Sequence, residues 1–405
     1  MTAAGKETVP VSVLGGVFWA FLRLGLIGFG GPAAHLGLFR ETLVRRDRWV
    51  SEAVYDEILA LCQFLPGPGS SQTAAALGWM RAGPLGALAA LTGFALPAAA
   101  IMGMAGYGAA AHGDLIPDGV RAGLLAAAAA VVGAAVVSMA SSQARRPAGA
   151  GLAVFGLAAT LASSASAMPL AMVQPGVIAL AAVFGAWMLR PASQAQMAEP
   201  APRKGRARGA LMALAVFTAG LSLLPLVAGE GRLFALADAV FRAGALVFGG
   251  GHVVLPLLEA GTVPEFLDQE TFLAGYGLAQ SIPGPVFTFA AFLGAAAGEG
   301  AASALLYAGV AVVAIFAPGL LLVFAVLPAW ARLKANVYAA GALAGAAAGV
   351  TGILAAAFID PVLTSLPADW RAYAIAAAGF VALKGAKAAP PFVVGACAFA
   401  GWLML

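Results

Sequence analysis

The sequence predicts an all-α polytopic membrane protein made of two homologous halves in inverted topology, with broken, re-entrant helices. Three observations predict it. Hydrophobic residues make up 62% of the 405 positions and charged residues only 10%, too little polarity to cover a soluble fold of this size. The charges cluster between apolar runs long enough to cross about 30 Å of hydrocarbon at about 1.5 Å per residue. The 52 glycines and 24 prolines interrupt these runs, which a bilayer bundle tolerates because neighbouring helices satisfy the freed backbone groups.

At the start of the chain, Lys6, Glu7 and Pro10 do not form the basic, apolar and small-residue succession of a signal peptide, so none is expected and the mature chain is expected to begin here. Cys62 and Cys397 lie in apolar stretches, and His35, His112 and His252 are scattered, so neither a metal centre nor a cofactor is expected. The net charge of +4 reads as loop arginine facing anionic lipid, and no aromatic-plus-basic patch points to nucleic acid.

The chain repeats itself. Residues 21–31 read FLRLGLIGFGG and residues 240–250 read VFRAGALVFGG. Arg23 pairs with Arg242, Phe29 with Phe248, and Gly30-Gly31 with Gly249-Gly250, at a constant offset of 219. A second signature follows in each half, QFLPGP at 63–68 and QSIPGP at 280–285. Pro97 and Pro318 then interrupt corresponding apolar runs and read as kinks. The domain division expected is 1–190 for the first repeat, 191–209 for a basic cytoplasmic linker, and 210–405 for the second repeat with an extra connecting span near 211–228.

Orientation follows from lysine and arginine, which collect in short cytoplasmic loops. The loop after the first signature contains Arg40, Arg45, Arg46 and Arg48, whereas its counterpart contains Glu259, Glu265, Asp268 and Glu270 and no basic residue. Opposite charge implies opposite facing, the mark of an inverted repeat around a midplane site. Spans near 85–110, 120–140, 152–166, 173–189, 211–228, 302–327, 337–358, 373–383 and 392–405 then alternate. Arg81, Arg145, Arg146, Arg190, Arg332, Lys334, Lys384 and Lys387 fall inside, and Asp114 and Asp118 outside. Four re-entrant hairpins complete this threading, and a count in which some hairpins cross fully competes with it.

The signatures suit an oxyanion. A dianion near the midplane sheds water, so the protein must supply N–H donors and positive charge. In FGG followed by Pro32 or Gly251, glycine admits positive φ, and proline suits the first turn of a helix whose unpaired N–H groups point at a ligand. The PGP motifs repeat the device, with Pro66 and Pro283 ending one segment and Pro68 and Pro285 starting the next. Gly67, Ser70 and Ser71 follow in one half, Gly284 and Thr288 in the other. Arg23 and Arg242, seven residues before their glycine doublets in apolar helices, offer planar forks for the anion. Snorkelling, or pairing with a carboxylate such as Glu41 or Glu259, is the competing reading. Gln63 and Gln280 read equally as amide donors or helix caps. His35, His252, Glu41 and Glu259 are candidates for proton coupling.

With FxRxGxxxFGG and QxxPGP in each half, the sequence resembles the chromate ion transporter family, in its long-chain two-domain form, from about Val17 to the C-terminus. The resemblance implies a secondary carrier of the bacterial inner membrane that expels chromate and confers resistance, driven by membrane potential or a proton gradient. It carries over Arg23, Gly30, Gly31, Pro32, Gln63, Pro66, Gly67 and Pro68, then Arg242, Gly249, Gly250, Gly251, Gln280, Pro283, Gly284 and Pro285. Gly251 departs from the proline of the first half, which bears on how sharply the second half-helix starts. Sulfate or another oxyanion, by uptake or exchange, is the alternative. An anion channel and an intramembrane enzyme are remoter, since no HExxH, GxSxG or paired membrane aspartates occur, and no enzymatic activity is expected. The partners expected are the dianion, the lipid bilayer and, for a symmetric carrier, a second copy in a homodimer.

Overall fold

The computed structural model describes residues 11–112, 116–166, 168–191, 207–248, 251–330, 333 and 335–405. Gly249, Gly250, Asp114, Arg332, Lys334 and linker residues 192–206 lie outside the described residues. Among the described residues all regular structure is helical, as the composition requires, and six helices are long and apolar enough to cross a membrane.

The first half opens with α1 (Val11–Ile27) and α2 (Gly31–Phe39), which continues as a π-helical stretch, Arg40–Arg46. Helix α3 (Glu52–Phe64) is capped by the Ser51 side chain, which accepts from the Val54 amide. The 44-residue α4 (Gly69–His112) is really two arms, because Ala82 (φ −146°) and Gly83 (φ 64°, ψ −155°) break it and Pro84 starts the second. Helices α5 (Asp118–Gln143), α6 (Pro147–Ala165) and α7 (Leu170–Met188) complete this half, and α8 (Ala207–Val227) follows on the periphery.

The second half runs through α9 (Arg232–Leu246), α10 (Val254–Thr262), α11 (Gln269–Ala279), α12 (Phe289–Ala297), α13 (Ala301–Val326), α14 (Val337–Ala357), α15 (Trp370–Lys384) and α16 (Pro390–Met404). Its order of helices and breaks follows that of the first half, with α12 and α13 standing where α4 has its two arms. The capping recurs too, since the Asp268 side chain accepts from the Thr271 amide at the start of α11 as Ser51 does for α3.

Small residues decide how the halves meet. In lipid no hydrophobic force drives helices together, so association relies on close backbone approach. Helix α16 crosses α5 where Cys397 and Gly401 face Gly123 and Gly119, and α7 crosses α14 where Ala181 and Gly185 face Gly345 and Gly341. Helix α6 approaches α14 through Gly156 against Gly349. The small-residue stretch of α14 is thus a packing surface, and the last helices of each half dock on the alanine-rich helix that follows the kinked one in the other. At the core of that arrangement Ala126 to Ala130 are at most 2% exposed.

Contacts also tie the ends of the broken helices across the halves. The Trp79 ring, near the end of the first arm of α4, lies 4.3 Å from that of Phe324 near the end of α13. Trp330 Nε1 donates to Glu57 Oε2 at 2.9 Å. At the other ends, Gly106 of α4 lies against Phe292, Gly103 faces Ala308, and Arg121 approaches Glu270 at 3.8 Å.

Candidate functional site

The four sequence signatures meet. Helix α1 stops at Ile27 because Pro32, four residues after Gly28, has no N–H to bond the Gly28 carbonyl and continue the helix. That carbonyl instead accepts two bonds, from the Gly284 amide at 2.8 Å and from His35 Nε2 at 2.9 Å. The symmetric bond exists in the other half, where the Gly67 amide donates to the Val247 carbonyl at 2.8 Å. Each PGP turn is therefore bonded to the glycine break of the opposite half. Gly251 comes within 4.0 Å of Pro32 and 3.8 Å of Val286 and Phe287 by the position its Cβ would take, so the two glycine breaks also touch.

Glycine is required where it stands in the PGP turns. Gly67 has φ 124° and Gly284 has φ 108°, and a methyl on Gly284 would lie 2.9 Å from the Ala98 Cβ. A methyl on Gly67 would meet Gly319 at 3.0 Å. Ala98 and Gly319 follow Pro97 and Pro318, so each proline kink of one half receives the PGP turn of the other. Gln72, buried at 2% exposure, fastens this contact by donating through Nε2 to Pro66 O at 2.9 Å and Gly319 O at 3.2 Å.

The two half-helix starts differ. Gly30 caps α2 with φ 97°, Gly31 has φ 75°, and Pro32 occupies the first turn, as the motif demands. In the second half Gly251–Val253 forms a 3-10 turn before α10 begins at Val254, so replacement of proline by glycine does soften the start. The PGP breaks differ likewise, because α4 starts directly after Pro68 at Gly69, whereas Pro285 leads into a 3-10 turn, Val286–Thr288, ahead of α12. The amides of Gly69, Ser70 and Ser71 open the first turn of α4 and have no acceptor within the helix.

Six buried polar side chains line this junction, His35, Ser70, Ser71, Gln72, Gln280 and Thr288. His35 is 1% exposed; with Nε2 donating to Gly28 O, its Nδ1 faces Ser70 Oγ at 3.4 Å, joining the first glycine break to the first PGP break. Ser71 Oγ, Gln72 Oε1 and Gln280 Nε2 are buried and meet no hydrogen-bond partner. Buried polar atoms are rarely left unpaired, and each such group calls for an explanation. Thr288 is 2% exposed, and its hydroxyl is spent on Pro285 O at 2.8 Å. His252 Nδ1 lies 3.1 Å from the Tyr276 hydroxyl, one helical turn before Gln280. The four junction segments, 28–35, 63–72, 247–253 and 280–288, contain no acidic residue.

Several candidates lie elsewhere. Arg23 is on the exposed face of α1, with no ion pair or hydrogen bond among the described residues. Arg242 is 40% exposed and its Nε donates to both carboxylate oxygens of Asp238, at 2.8 and 2.9 Å. The structure does not bring the two guanidinium groups to the junction. Seven residues are about 10 Å of helix, and Asp238, one turn nearer the start of α9, holds Arg242 away from the break. Gln63 is exposed although its counterpart Gln280 is buried. Glu41 pairs on the surface with Arg45 at 3.2 Å, while Glu259 is buried at 8% exposure, on α10 beyond the junction. The sequence marks neither Gln72, which stands among small polar residues after the first PGP, nor Tyr276.

Comparison with known proteins adds the family. No solved structure matches this chain. The chromate transporter profile matches residues 15–229 and 234–402. A probable chromate transport protein of Synechococcus elongatus is 30% identical over 94% of this chain and 93% of its own length. The chromate transport protein of Cupriavidus metallidurans is 30% identical over 99% of this chain and 96% of its own, and that of Pseudomonas aeruginosa 28% over 100% and 95%. A multi-pass bundle whose breaks meet in its interior suits such a role, and the near end-to-end matches establish that this chain belongs to the chromate transporter family.

Proposed function

We propose that this protein is a secondary carrier of the bacterial inner membrane that moves chromate out of the cytoplasm, with a binding site where the four breaks meet. The observation that carries the reading is the junction itself: opening amides of α4, the unpaired polar atoms of Ser71 and Gln280, and no acidic side chain in any of the four segments. N–H and O–H donors without competing carboxylates are what a desolvated dianion needs.

The two halves are read as inserted in opposite directions. Support comes from equivalent helices: the second arm of α4 ends where α13 begins, at Gly103 and Ala308, and its preceding arm ends beside the end of α13, at Trp79 and Phe324. Loop charge gives the same sense, with arginine after α2 and acid after α10. The chain divides in this reading into two repeats joined by a basic linker and α8, which carries the chain back across the bilayer.

Sulfate shares the charge and shape of chromate and is the second substrate of this reading. The test is chromate flux into liposomes holding purified protein under imposed pH and voltage gradients, with sulfate as competitor. Accumulation that follows a gradient supports a carrier. Flux that only dissipates the anion gradient turns the reading to a channel, and absence of chromate and sulfate flux refutes it.

A further inference from the structure

We propose that Glu259, buried on α10 without a counter-ion where the other half of the molecule has an ion pair, is a proton-binding residue whose protonation is linked to movement of the anion. The inference rests on the carrier reading above and adds the residue that couples it to protons.

The argument begins with equivalent positions. At the offset of 219 that relates the glycine signatures, Glu259 corresponds to Arg40. At the offset of 217 that relates Ser51 to Asp268 and Gln63 to Gln280, Gln269 corresponds to Glu52. In the first half this pair is ionic: Arg40 lies 3.6 Å from Glu52 and is bonded to Asp56 as well. In the second half the same positions are Glu259 and Gln269, a carboxyl and a carboxamide. The first pair keeps its charges at any physiological pH. The second changes its charge when one proton binds.

Burial gives that change its weight. Among the aspartate, glutamate, lysine and arginine side chains of the described residues, Glu259 is the one below a tenth exposed, at 8%, and no cation among the described residues lies within ion-pair distance of it. From α9, the Arg232 guanidinium lies over the Phe266 ring and Arg242 is bonded to Asp238. Helix α7 carries no ionisable side chain. His252, ahead of α10, faces Tyr276, and Glu270 of α11 faces Arg121. The π-helical turn after α14 adds Asp360, another negative charge. Gln269 Nε2 is buried and meets no hydrogen-bond partner, so it does not neutralise the carboxyl. An uncompensated buried carboxylate is costly, and such groups inside membrane proteins mark proton and ion pathways.

The connection to the anion is α10 itself. Glu259 stands five residues, about 8 Å, along this short helix from Val254, and a Cβ added at Gly251, in the turn ahead of Val254, would come within 4.0 Å of Pro32, Val286 and Phe287 in the junction. A charge change at Glu259 alters how α10 packs against α7, α9 and α14, and α10 has the junction at its other end.

The test compares wild type with Glu259→Gln in liposomes containing a trapped pH dye. Counterflow of labelled chromate without a pH gradient reports the carrier, and chromate-dependent proton movement reports the coupling. Expected is counterflow within about twofold of wild type and a loss of linked proton flux of about tenfold or more. Linked proton flux equal to wild type in Glu259→Gln overturns the inference and leaves the carrier reading standing. Absence of counterflow in wild type overturns the carrier reading and this inference with it. Should Glu259→Gln aggregate on size exclusion, the exposed Asp360→Asn takes its place. Removing that neighbouring negative charge makes proton release from Glu259 easier, so the pH midpoint of transport moves to lower pH; an unmoved midpoint overturns the inference.

Discussion

Replacing Gly284 by alanine tests the meeting of the four breaks most directly. Two costs add. At φ 108° a residue with a Cβ sits in sparsely populated backbone space, at about 1–3 kcal/mol. The new methyl also falls 2.9 Å from Ala98 Cβ, and overpacking of a filled interior costs about 1–3 kcal/mol more. Together they come to about 4 kcal/mol. At about 2.1 cal/mol/K of unfolding entropy per residue, a chain of 405 residues loses about 5 °C of midpoint. The assay is thermal unfolding of detergent-purified protein followed by size exclusion, with chromate flux measured in parallel. Adding Ala98→Gly removes the clash but not the strain, so it should recover about half of the loss. Gly83→Ala is the control: its backbone, φ 64° and ψ −155°, carries the strain alone, nothing lies within 4 Å of the added methyl, and about 2 kcal/mol is expected. The reasoning fails if Gly284→Ala unfolds with Gly83→Ala, or if Ala98→Gly restores nothing.

Three more expectations concern the junction and its frame. Ser71→Ala removes a hydroxyl with no partner in the protein, so stability should hold, and Gln280→Leu removes an amide whose Nε2 has none; chromate affinity should fall by about tenfold in each, the worth of one hydrogen bond to a charged group; competition binding with sulfate checks it, and unchanged affinity in both removes them from the site. Arg23→Ala should leave flux within about twofold of wild type, since an exposed side chain with no partner loses little when truncated; a loss of tenfold or more would return Arg23 to the binding chemistry. Gly345→Ala would drive a methyl into the Ala181 carbonyl at the α7–α14 crossing; a loss of about 3 kcal/mol or more is expected, and a folded yield equal to wild type would show that the crossing is looser than described.

The fold was legible to the extent that it depends on composition and on local chemistry. Apolar length called for spanning helices, proline and glycine called for breaks, and the structure has both, with α1 ending before Pro32 and α4 opening after Pro68. The family was legible from the doubled signatures. The site was legible only in part. Ser71, Gln280 and His35 are buried at the junction, whereas Arg23, Gln63 and Glu41 carry the same chemical promise and point elsewhere. A repeat detected in sequence says that two residues occupy equivalent backbone positions. It does not say that their side chains have equivalent surroundings, and Gln63 with Gln280 shows the difference.

The sequence by itself determined where helices could not continue, because a missing N–H and a backbone that needs positive φ are properties of single residues. It determined membrane residence too, since that depends on the sum of apolar groups and not on their arrangement. Only the tertiary structure decided what the breaks do with their freed groups. The Gly28 carbonyl, unable to bond Pro32, is satisfied by Gly284 from the other half, and Val247 by Gly67. Which donor reaches which carbonyl across more than 170 residues of chain depends on how closely the helices approach. Here that approach is governed by glycines and alanines at the crossings, whose contribution appears only when both surfaces are present.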